Sequence, residues 1–261
     1  MTKITIYTLL CIYTGICILL YFNQENIIFV PAKLKSSYVF DFKEPFEEIN
    51  IPVKNAVING LLFKTENSKG LIFYLHGNGG SIAGWGKVAE IYTRLGYDLY
   101  MLDYRGYGKS SGVIEGQKQI YDDNQIVYNE LKKRYNEDKI IILGYSIGSG
   151  LAAKLATDNH PRALILQAPY YSLTHLMKSR YPFIPTFLLK YKFPTDEYLQ
   201  TCKIPVTIFH GDQDFIIPLK SSLMLQKRFK NNDTLIILKE QGHNSMSENY
   251  KYRFELEKIL D

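Results

Sequence analysis

Residues 140–148 read IIILGYSIG, an uninterrupted apolar run that leads directly into a serine between two glycines. Apolar residues at every position are typical of a strand that is covered on both faces of a parallel sheet. The residues that follow, SGLAAKLA, are apolar along one side at helical spacing. This stretch therefore predicts a strand, a tight turn at Ser146 and a helix, which together form one unit of an α/β fold.

The same alternation of apolar runs and amphipathic stretches extends over most of the chain, as expected for repeated βα units. An early pair of runs is separated near Asn55 and predicts an antiparallel hairpin, whereas the later runs predict parallel strands. The predicted fold class is α/β, with a mostly parallel central sheet of about eight strands flanked by helices. The predicted strands are residues 48–53, 57–63, 71–75, 99–103, 140–144, 163–167, 206–210 and 235–238.

Apolar residues at three- and four-residue spacing predict helices at 85–95, 120–135, 151–156 and 248–260. Residues 168–203 break this rhythm, because they contain four prolines and are too long for a simple loop. This segment is interpreted as a short lid insertion. Either its aromatic residues pack down over the site, or its aromatic and basic residues rest on a membrane. The residues concerned are Lys178, Arg180, Tyr181, Phe183, Phe187, Lys190, Tyr191, Lys192 and Phe193.

Gly144, Ser146 and Gly148 form the pattern G-x-S-x-G, in the strand–turn–helix context that a nucleophilic serine requires. The flanking positions must lack side chains because the turn is so tight, and its strain holds the hydroxyl group out above the sheet. A serine hydroxyl is a poor nucleophile near neutral pH, so it needs a base and a group that orients the base. Ser146 is therefore the candidate nucleophile of an acyl-transfer site.

With this kind of turn, the acid and then the histidine follow the serine along the chain. His243 lies in GHNS after the last predicted strand, and it is the histidine that follows both candidate acids. Asp212 and Asp214 lie in HGDQDFIIP after the preceding strand, and the residue pattern alone leaves either as the acid. Both segments fall at the carboxyl ends of strands, where open α/β sheets place their sites.

The tetrahedral intermediate of acyl transfer carries an oxyanion, which backbone N–H groups must stabilise. One donor is predicted at Ile147, immediately after the serine and at the positive end of the following helix. The other is predicted at the amide of Asn78, in the HGNGG loop of residues 76–80. His76 and His210 stand at strand ends just before glycine and are interpreted as residues that tie loops together.

Residues 4–22 read ITIYTLLCIYTGICILLYF and carry no charged side chain. As a helix they would span about 28 Å, close to the ~30 Å hydrocarbon core of a bilayer. An uncleaved anchor is favoured over a buried helix and over a signal peptide, because no small-residue cleavage site follows. The chain is thus divided into a single-pass membrane anchor at 1–22, a connector at 23–44 and one domain at 45–261. The few lysines that flank the segment do not determine on which side of the membrane the domain lies.

The composition is that of an ordinary globular protein, with 46% hydrophobic and 22% charged residues. The net charge of +5 comes from 31 basic and 26 acidic residues spread along the chain. Nucleic acid is therefore not an expected partner, since its binding needs a dense basic surface. No cluster of His, Cys, Asp and Glu has metal-ligand spacing, so neither a metal nor another cofactor is expected. Outside the N-terminal segment only Cys202 remains, which excludes an internal disulfide in the domain.

The segments HGNGG, DYRGYGKSSG, LGYSIGSG, QAPYYSL, HGDQDFIIP and GHNS occur in this order. With them the chain resembles the serine hydrolases of the α/β-hydrolase fold, from residue 22 to the C-terminus. YFNQENIIFVP after the N-terminal segment resembles a membrane-tethered, short-lid subfamily that includes protein depalmitoylases. Asp103 and Arg105 in DYRGYG match a family motif that is interpreted as structural. GHNS differs from the His-Asn-Asp of many relatives, which leaves the histidine in place.

The resemblance implies a catalytic triad and an oxyanion hole, made by Ser146, Asp214 and His243 and by the amides of Asn78 and Ile147. It thereby selects Asp214 as the acid. The implied activity is hydrolysis of a carboxylic ester or thioester through an acyl-enzyme. A peptidase, an acyltransferase and a non-catalytic membrane-anchored scaffold stay as alternatives, because a fold alone does not identify a substrate. The expected partners are a small-molecule or lipid-like acyl ester and the membrane; an oligomeric state is not indicated.

Overall fold

Residues 2–261 are described by a computed structural model, and within them eight strands form the central sheet. The strands are β1 (Phe46–Val53), β2 (Ala56–Phe63), β3 (Leu71–Leu75), β4 (Asp98–Leu102), β5 (Ile140–Tyr145), β6 (Ala163–Gln167), β7 (Val206–Gly211) and β8 (Thr234–Leu238). Their order across the sheet is β8-β7-β6-β5-β3-β4-β2-β1. β1 and β2 form the antiparallel hairpin, β2 is antiparallel to β4, and the other neighbours are parallel. Each predicted strand is confirmed to within two residues at either end.

β3 lies in the middle of the sheet and shows why the apolar runs are continuous. Leu71 and Phe73 belong to a core on one face, and Ile72 and Tyr74 belong to a second core on the other. All four side chains are buried. Because both faces are covered, each position along the strand must be apolar to avoid burying an unpaired polar group.

Helices flank this sheet, and one more at the N-terminus lies outside both hydrophobic cores. They are α1 (Lys3–Phe22), α2 (Gln24–Ile28), α3 (Ile82–Trp85), α4 (Ala89–Arg94), α5 (Gln117–Leu131), α6 (Ile147–Asp158), α7 (Leu173–Arg180), α8 (Thr195–Thr201), α9 (Lys220–Leu225) and α10 (Tyr250–Leu260). The helix predicted at 85–95 is divided by a short 3-10 turn between α3 and α4. The helix predicted at 120–135 is too long, because Tyr135 lies beyond α5 and donates a hydrogen bond to Asp98 Oδ2 at 2.5 Å.

The segment predicted as a connector, residues 23–44, contains α2 and a short strand. Val30–Pro31 pairs in parallel with Gly79–Gly80. The Val30 amide also donates a hydrogen bond of 3.0 Å to the carbonyl oxygen of Asn78. The chain that leaves the N-terminal helix is thus attached directly to the HGNGG loop.

α1 stands apart from both hydrophobic cores. None of its residues, all of which lie within the described chain, is buried. Its 20 residues are long and apolar enough to cross a membrane, by length and composition. The alternative of a buried helix is therefore wrong.

The segment predicted as a lid insertion, residues 168–203, contains α7 and α8. Tyr191 and Phe193 are fully buried in the core, as the packing interpretation predicts. Phe183 and Phe187 are instead 85% and 80% exposed, and Tyr181 beside them is also exposed. The contact of these three residues with a membrane stays a prediction.

Candidate active site

The turn after β5 holds Ser146 in a strained backbone conformation with φ 53° and ψ −117°. Its amide donates a hydrogen bond of 2.9 Å to the carbonyl oxygen of Gln167, at the end of the neighbouring strand. A Cβ atom on Gly148 would lie 2.1 Å from the Leu75 carbonyl oxygen, and one on Gly144 would lie 2.5 Å from the Gly148 carbonyl oxygen. Glycine is therefore required on both sides of the serine, as the sequence pattern predicts.

The structure brings His243 between Ser146 and Asp214. His243 Nε2 lies 3.0 Å from Ser146 Oγ, and His243 Nδ1 lies 2.7 Å from Asp214 Oδ2. The hydroxyl of Tyr145 donates a hydrogen bond to the carbonyl oxygen of His243, which fixes the backbone of the histidine loop to the serine turn. All three site residues are buried, with 5–9% of each residue's surface exposed. Low exposure strengthens the electrostatic interactions among them.

The carboxylate of Asp214 is held on both oxygens. Oδ1 accepts hydrogen bonds from the amides of Ile216 and Ile217, at 2.9 and 2.8 Å, and Oδ2 faces His243. Burial alone would raise the pKa of Asp214, but interactions with His210 and His243 outweigh it and hold that pKa well below its ordinary value. Asp214 is therefore ionised at neutral pH and can stabilise a positive charge on His243.

Within the described residues, Asp212, the other candidate acid, takes no part in these hydrogen bonds. Its side chain is exposed, while its amide donates a hydrogen bond of 3.0 Å to the Leu238 carbonyl oxygen. The geometry therefore selects Asp214 as the partner of His243.

His210 contributes a second contact to the acid. Its Nε2 lies 3.3 Å from Asp214 Oδ2 and 2.8 Å from the Ile217 carbonyl oxygen, so this nitrogen is the one that carries a proton. Its Nδ1 lies 2.7 Å from the hydroxyl of Ser222. The interpretation of His210 as a loop tie is correct, and in addition the residue positions the candidate acid.

The predicted oxyanion donors lie in two different elements. Ile147 is the first residue of α6, so its N–H group has no acceptor within the helix and lies at the positive end of the helix dipole. Asn78 lies in the HGNGG loop, where its carbonyl oxygen accepts hydrogen bonds from Val30 N at 3.0 Å and Tyr107 Oη at 2.6 Å. These contacts attach the loop to the segment after α2 and to Tyr107.

His76 has a role that the sequence does not reveal. Its Nδ1 lies 2.7 Å from the carbonyl oxygen of Gly77, which belongs to the same peptide unit as the N–H group of Asn78. In a trans peptide the C=O and N–H groups point in opposite directions. By binding the carbonyl, His76 therefore sets the direction of the candidate oxyanion donor. The HGNGG pattern was the available signal, but it does not specify which peptide the histidine contacts.

Asp103 and Arg105 make structural contacts, as their motif implies. Asp103 Oδ1 accepts a hydrogen bond of 2.9 Å from the amide of Ile82, and Arg105 binds both carboxylate oxygens of Asp123. All three charged side chains are buried. Among residues 2–261, no group of three or more His, Cys, Asp and Glu side chains is arranged to hold a metal ion.

The protein-family model described as serine aminopeptidase, S33, matches residues 66–195. A lysophosphatidylserine lipase ABHD12 of Danio rerio is 28% identical over 212 residues, which cover 69% of this chain and 55% of that protein. The lipase of the same name from Macaca fascicularis is 30% identical over 175 residues, 59% of this chain and 44% of that protein. The chain thus spans about half the length of these curated relatives.

Solved structures with a similar fold include an esterase of Pyrococcus furiosus, with a TM-score of 0.70 at 17% identity over 89% of this chain and 97% of that one. An alpha-beta hydrolase of Vibrio vulnificus gives a TM-score of 0.69 at 19% identity over 82% and 80% of the two chains. Together with the strand order and the serine turn, these similarities show that the chain has the α/β-hydrolase fold. The family model that matches part of the chain is named for a serine aminopeptidase, and the relatives that resemble it are named for a lipase.

Proposed function

We propose that this protein is a serine hydrolase that cleaves a carboxylic ester or thioester through an acyl-enzyme at Ser146. The observation that carries the proposal is the series of hydrogen bonds from Asp214 through His243 to the Ser146 hydroxyl, at 2.7 and 3.0 Å. A serine needs such a series to attack a carbonyl carbon near neutral pH.

In the first half of the reaction, Ser146 Oγ attacks the acyl carbonyl carbon while His243 Nε2 takes the hydroxyl proton. The carbonyl electron pair moves onto oxygen, where the amides of Ile147 and Asn78 donate hydrogen bonds to the developing charge. Asp214 keeps the proton of the ring on Nδ1, so that Nε2 is free to accept, and it stabilises the imidazolium that forms. The intermediate then releases an alkoxide or thiolate, which takes the proton from His243.

In the second half, water attacks the acyl-enzyme and His243 acts as the base again. The new intermediate collapses to a carboxylic acid and the free Ser146 hydroxyl, which recovers the proton from His243. Each well-placed oxyanion donor is worth about 3–4 kcal/mol in the transition state, so the peptide that carries the Asn78 amide must be held firmly. The contact between His76 and Gly77 serves this purpose.

The substrate is proposed to be a lipid-like acyl ester. Two relatives are named as lysophosphatidylserine lipases, and a protein of similar fold is named as an esterase. The alternative is cleavage of an amide, which the name of the matched family favours. Both reactions pass through the same type of tetrahedral intermediate, so substrates must separate them.

The protein is further proposed to be anchored in a membrane by α1, with the residues after 44 forming the catalytic domain and 168–203 its lid. A helix of 20 residues spans about 30 Å, which matches the hydrocarbon core of a bilayer. Hydrolysis would then take place next to the membrane surface. The proposal does not assign the catalytic domain to either side of the membrane.

A substrate panel tests the proposal on the full chain in detergent micelles. The panel contains a p-nitrophenyl ester, an acyl thioester with the same acyl group, and an aminoacyl p-nitroanilide. We expect turnover of the ester or thioester, and its loss to below a few per cent in Ser146→Ala but not in Ser149→Ala, where the changed hydroxyl only donates a hydrogen bond of 2.6 Å to the Ser146 carbonyl oxygen. If only the anilide is cleaved, the protein is a peptidase and the proposal is wrong. If none of the three substrates is cleaved, the protein is a non-catalytic scaffold and the proposal is also wrong.

A further inference from the structure

An apolar cavity of about 370 Å³ lies between the N-terminal helices and the lid. Small-molecule sites commonly have volumes of ~300–1,000 Å³ and mostly apolar walls. One wall of this cavity contains Leu20 at the end of α1 and Ile27 on α2. The opposite wall contains Leu176 and Ile184 of the lid. The volume and the lining are those of a site for an apolar ligand.

The two walls of the cavity are joined by hydrogen bonds. Gln24, which is buried, donates to the Leu188 carbonyl oxygen at 2.7 Å and accepts from the Lys190 amide at 2.9 Å. Glu25 accepts a hydrogen bond of 3.0 Å from the hydroxyl of Tyr191 and lies 3.3 Å from Lys190 Nζ. The helix end and the lid are thus held as one unit, so the cavity is a built feature and not a chance gap.

The segments that form the two walls of the cavity are bonded to loops of the candidate active site. On the anchor side, the chain runs from α2 directly into Val30, whose amide binds the Asn78 carbonyl oxygen. On the lid side, the cavity residue Arg180 donates hydrogen bonds to the carbonyl oxygens of Phe215 and Ile216, next to Asp214. One wall of the cavity is therefore attached to the oxyanion loop through Val30, and the other is attached to the acid loop through Arg180.

The lid reaches far along α1. Tyr13 Oη donates a hydrogen bond of 2.8 Å to the carbonyl oxygen of Phe183. Tyr13 lies nine residues before the end of α1 at Phe22, which corresponds to about 14 Å along the helix axis. Phe183 and Phe187 expose most of their side-chain surface here. If α1 spans a bilayer, the tip of the lid lies beside hydrocarbon, where two exposed phenylalanines are stable.

We propose that this cavity binds the acyl chain of the ester substrate, which enters it sideways from the hydrocarbon core. The inference rests on the proposed function and specifies its substrate as an ester whose acyl chain is embedded in the membrane. An acyl chain suits the cavity because each CH₂ group that leaves water contributes roughly 0.8 kcal/mol to the free energy of binding and needs no hydrogen-bond partner. In this arrangement the membrane helix is part of the substrate site as well as an anchor.

The test fills the cavity from the anchor side in the full chain, reconstituted in phosphatidylcholine nanodiscs. Leu20→Trp places a larger side chain in the cavity wall, and Leu19→Trp is the matched control, because Leu19 is the adjacent residue and is 65% exposed. The substrates are p-nitrophenyl acetate and p-nitrophenyl palmitate. We expect Leu20→Trp to lower kcat/KM for the palmitate roughly tenfold or more and to leave the acetate within about twofold, with Leu19→Trp normal for both.

A binding measurement removes the dependence on turnover. Ser146→Ala protein in the same nanodiscs is irradiated with a palmitoyl ester that carries a diazirine on the chain. Cross-links to the end of α1 and to α7 support the proposal, and Leu20→Trp should reduce them. Equal losses for both esters, an unchanged preference for palmitate, or cross-links confined to other segments would overturn it. Failure of the proposed function has a different signature, since wild-type protein would then hydrolyse neither ester.

Discussion

Replacing Asp214 by Asn changes one atom of the site and tests how the histidine is oriented. Oδ1 of Asp214 accepts two backbone hydrogen bonds, from Ile216 and Ile217 at 2.9 and 2.8 Å. Asparagine has a single side-chain oxygen, and the amides of Ile216 and Ile217 will hold this oxygen at the position that Oδ1 occupies in the wild type. Its NH₂ group must then face His243 Nδ1, where it can only donate.

The consequence is the wrong tautomer of His243. Nδ1 has to accept the new hydrogen bond, so the proton of the ring moves to Nε2 and points at the Ser146 hydroxyl. Nε2 can then no longer take the serine proton. We expect kcat to fall by up to ~10⁴-fold, which corresponds to about 5 kcal/mol in the transition state.

Hydrolysis of a short p-nitrophenyl ester measures this loss, and a thermal melt shows whether each variant is folded. Asp212→Asn is the matched control, because Asp212 is exposed and makes no side-chain contact with His243 in the described structure. It should change activity by less than about twofold, as surface substitutions usually do. A loss below about tenfold in folded Asp214→Asn, or a larger loss in Asp212→Asn, would refute the tautomer argument.

Three further predictions concern stability and the membrane. The pKa of Asp214 is lower in the folded chain than in the unfolded one, so its contribution to stability is complete above pH ~4 and is lost as pH falls through the folded value; the Tm difference between wild type and Asp214→Asn should therefore shrink from pH 6 to pH 3. Gly148→Ala should lower Tm by a few degrees, reflecting roughly 1–3 kcal/mol, since its Cβ would lie 2.1 Å from a β3 carbonyl oxygen, whereas Gly84→Ala, with open space, should not. A chain lacking α1 should bind anionic vesicles better than zwitterionic ones, and charge reversal at the exposed Lys178 and Lys192 should remove that preference; equal binding to both vesicle types would leave the lid without a membrane contact.

The strands and the serine turn could be predicted because local residue patterns encode them. β3 and β5 are apolar at every position since both faces are covered, and this leaves a continuous signal in the sequence. Gly144 and Gly148 are required by contacts of the turn with its own neighbours. The order of Ser146, the acid and His243 along the chain follows from the topology of the sheet.

The elements that the sequence did not predict depend on contacts between distant segments. Val30–Pro31 is a two-residue strand, too short for any periodicity, and it exists because of its pairing with Gly79–Gly80. The choice of Asp214 over Asp212 could not be made from residue types, since burial and the two backbone donors decide it. The bond from Tyr13 to Phe183 joins residues 170 positions apart. Such contacts become visible once the sheet has set the positions of the loops.

The most direct test of the central claim is covalent labelling of the full chain with a fluorophosphonate probe, followed by peptide mass spectrometry. The probe reacts with a serine that is activated by a neighbouring base. We predict a single adduct on the peptide that contains Ser146, retained in Ser149→Ala and absent from Ser146→Ala. A wild-type chain that stays unlabelled, or an adduct on another serine that persists in Ser146→Ala, would contradict the account.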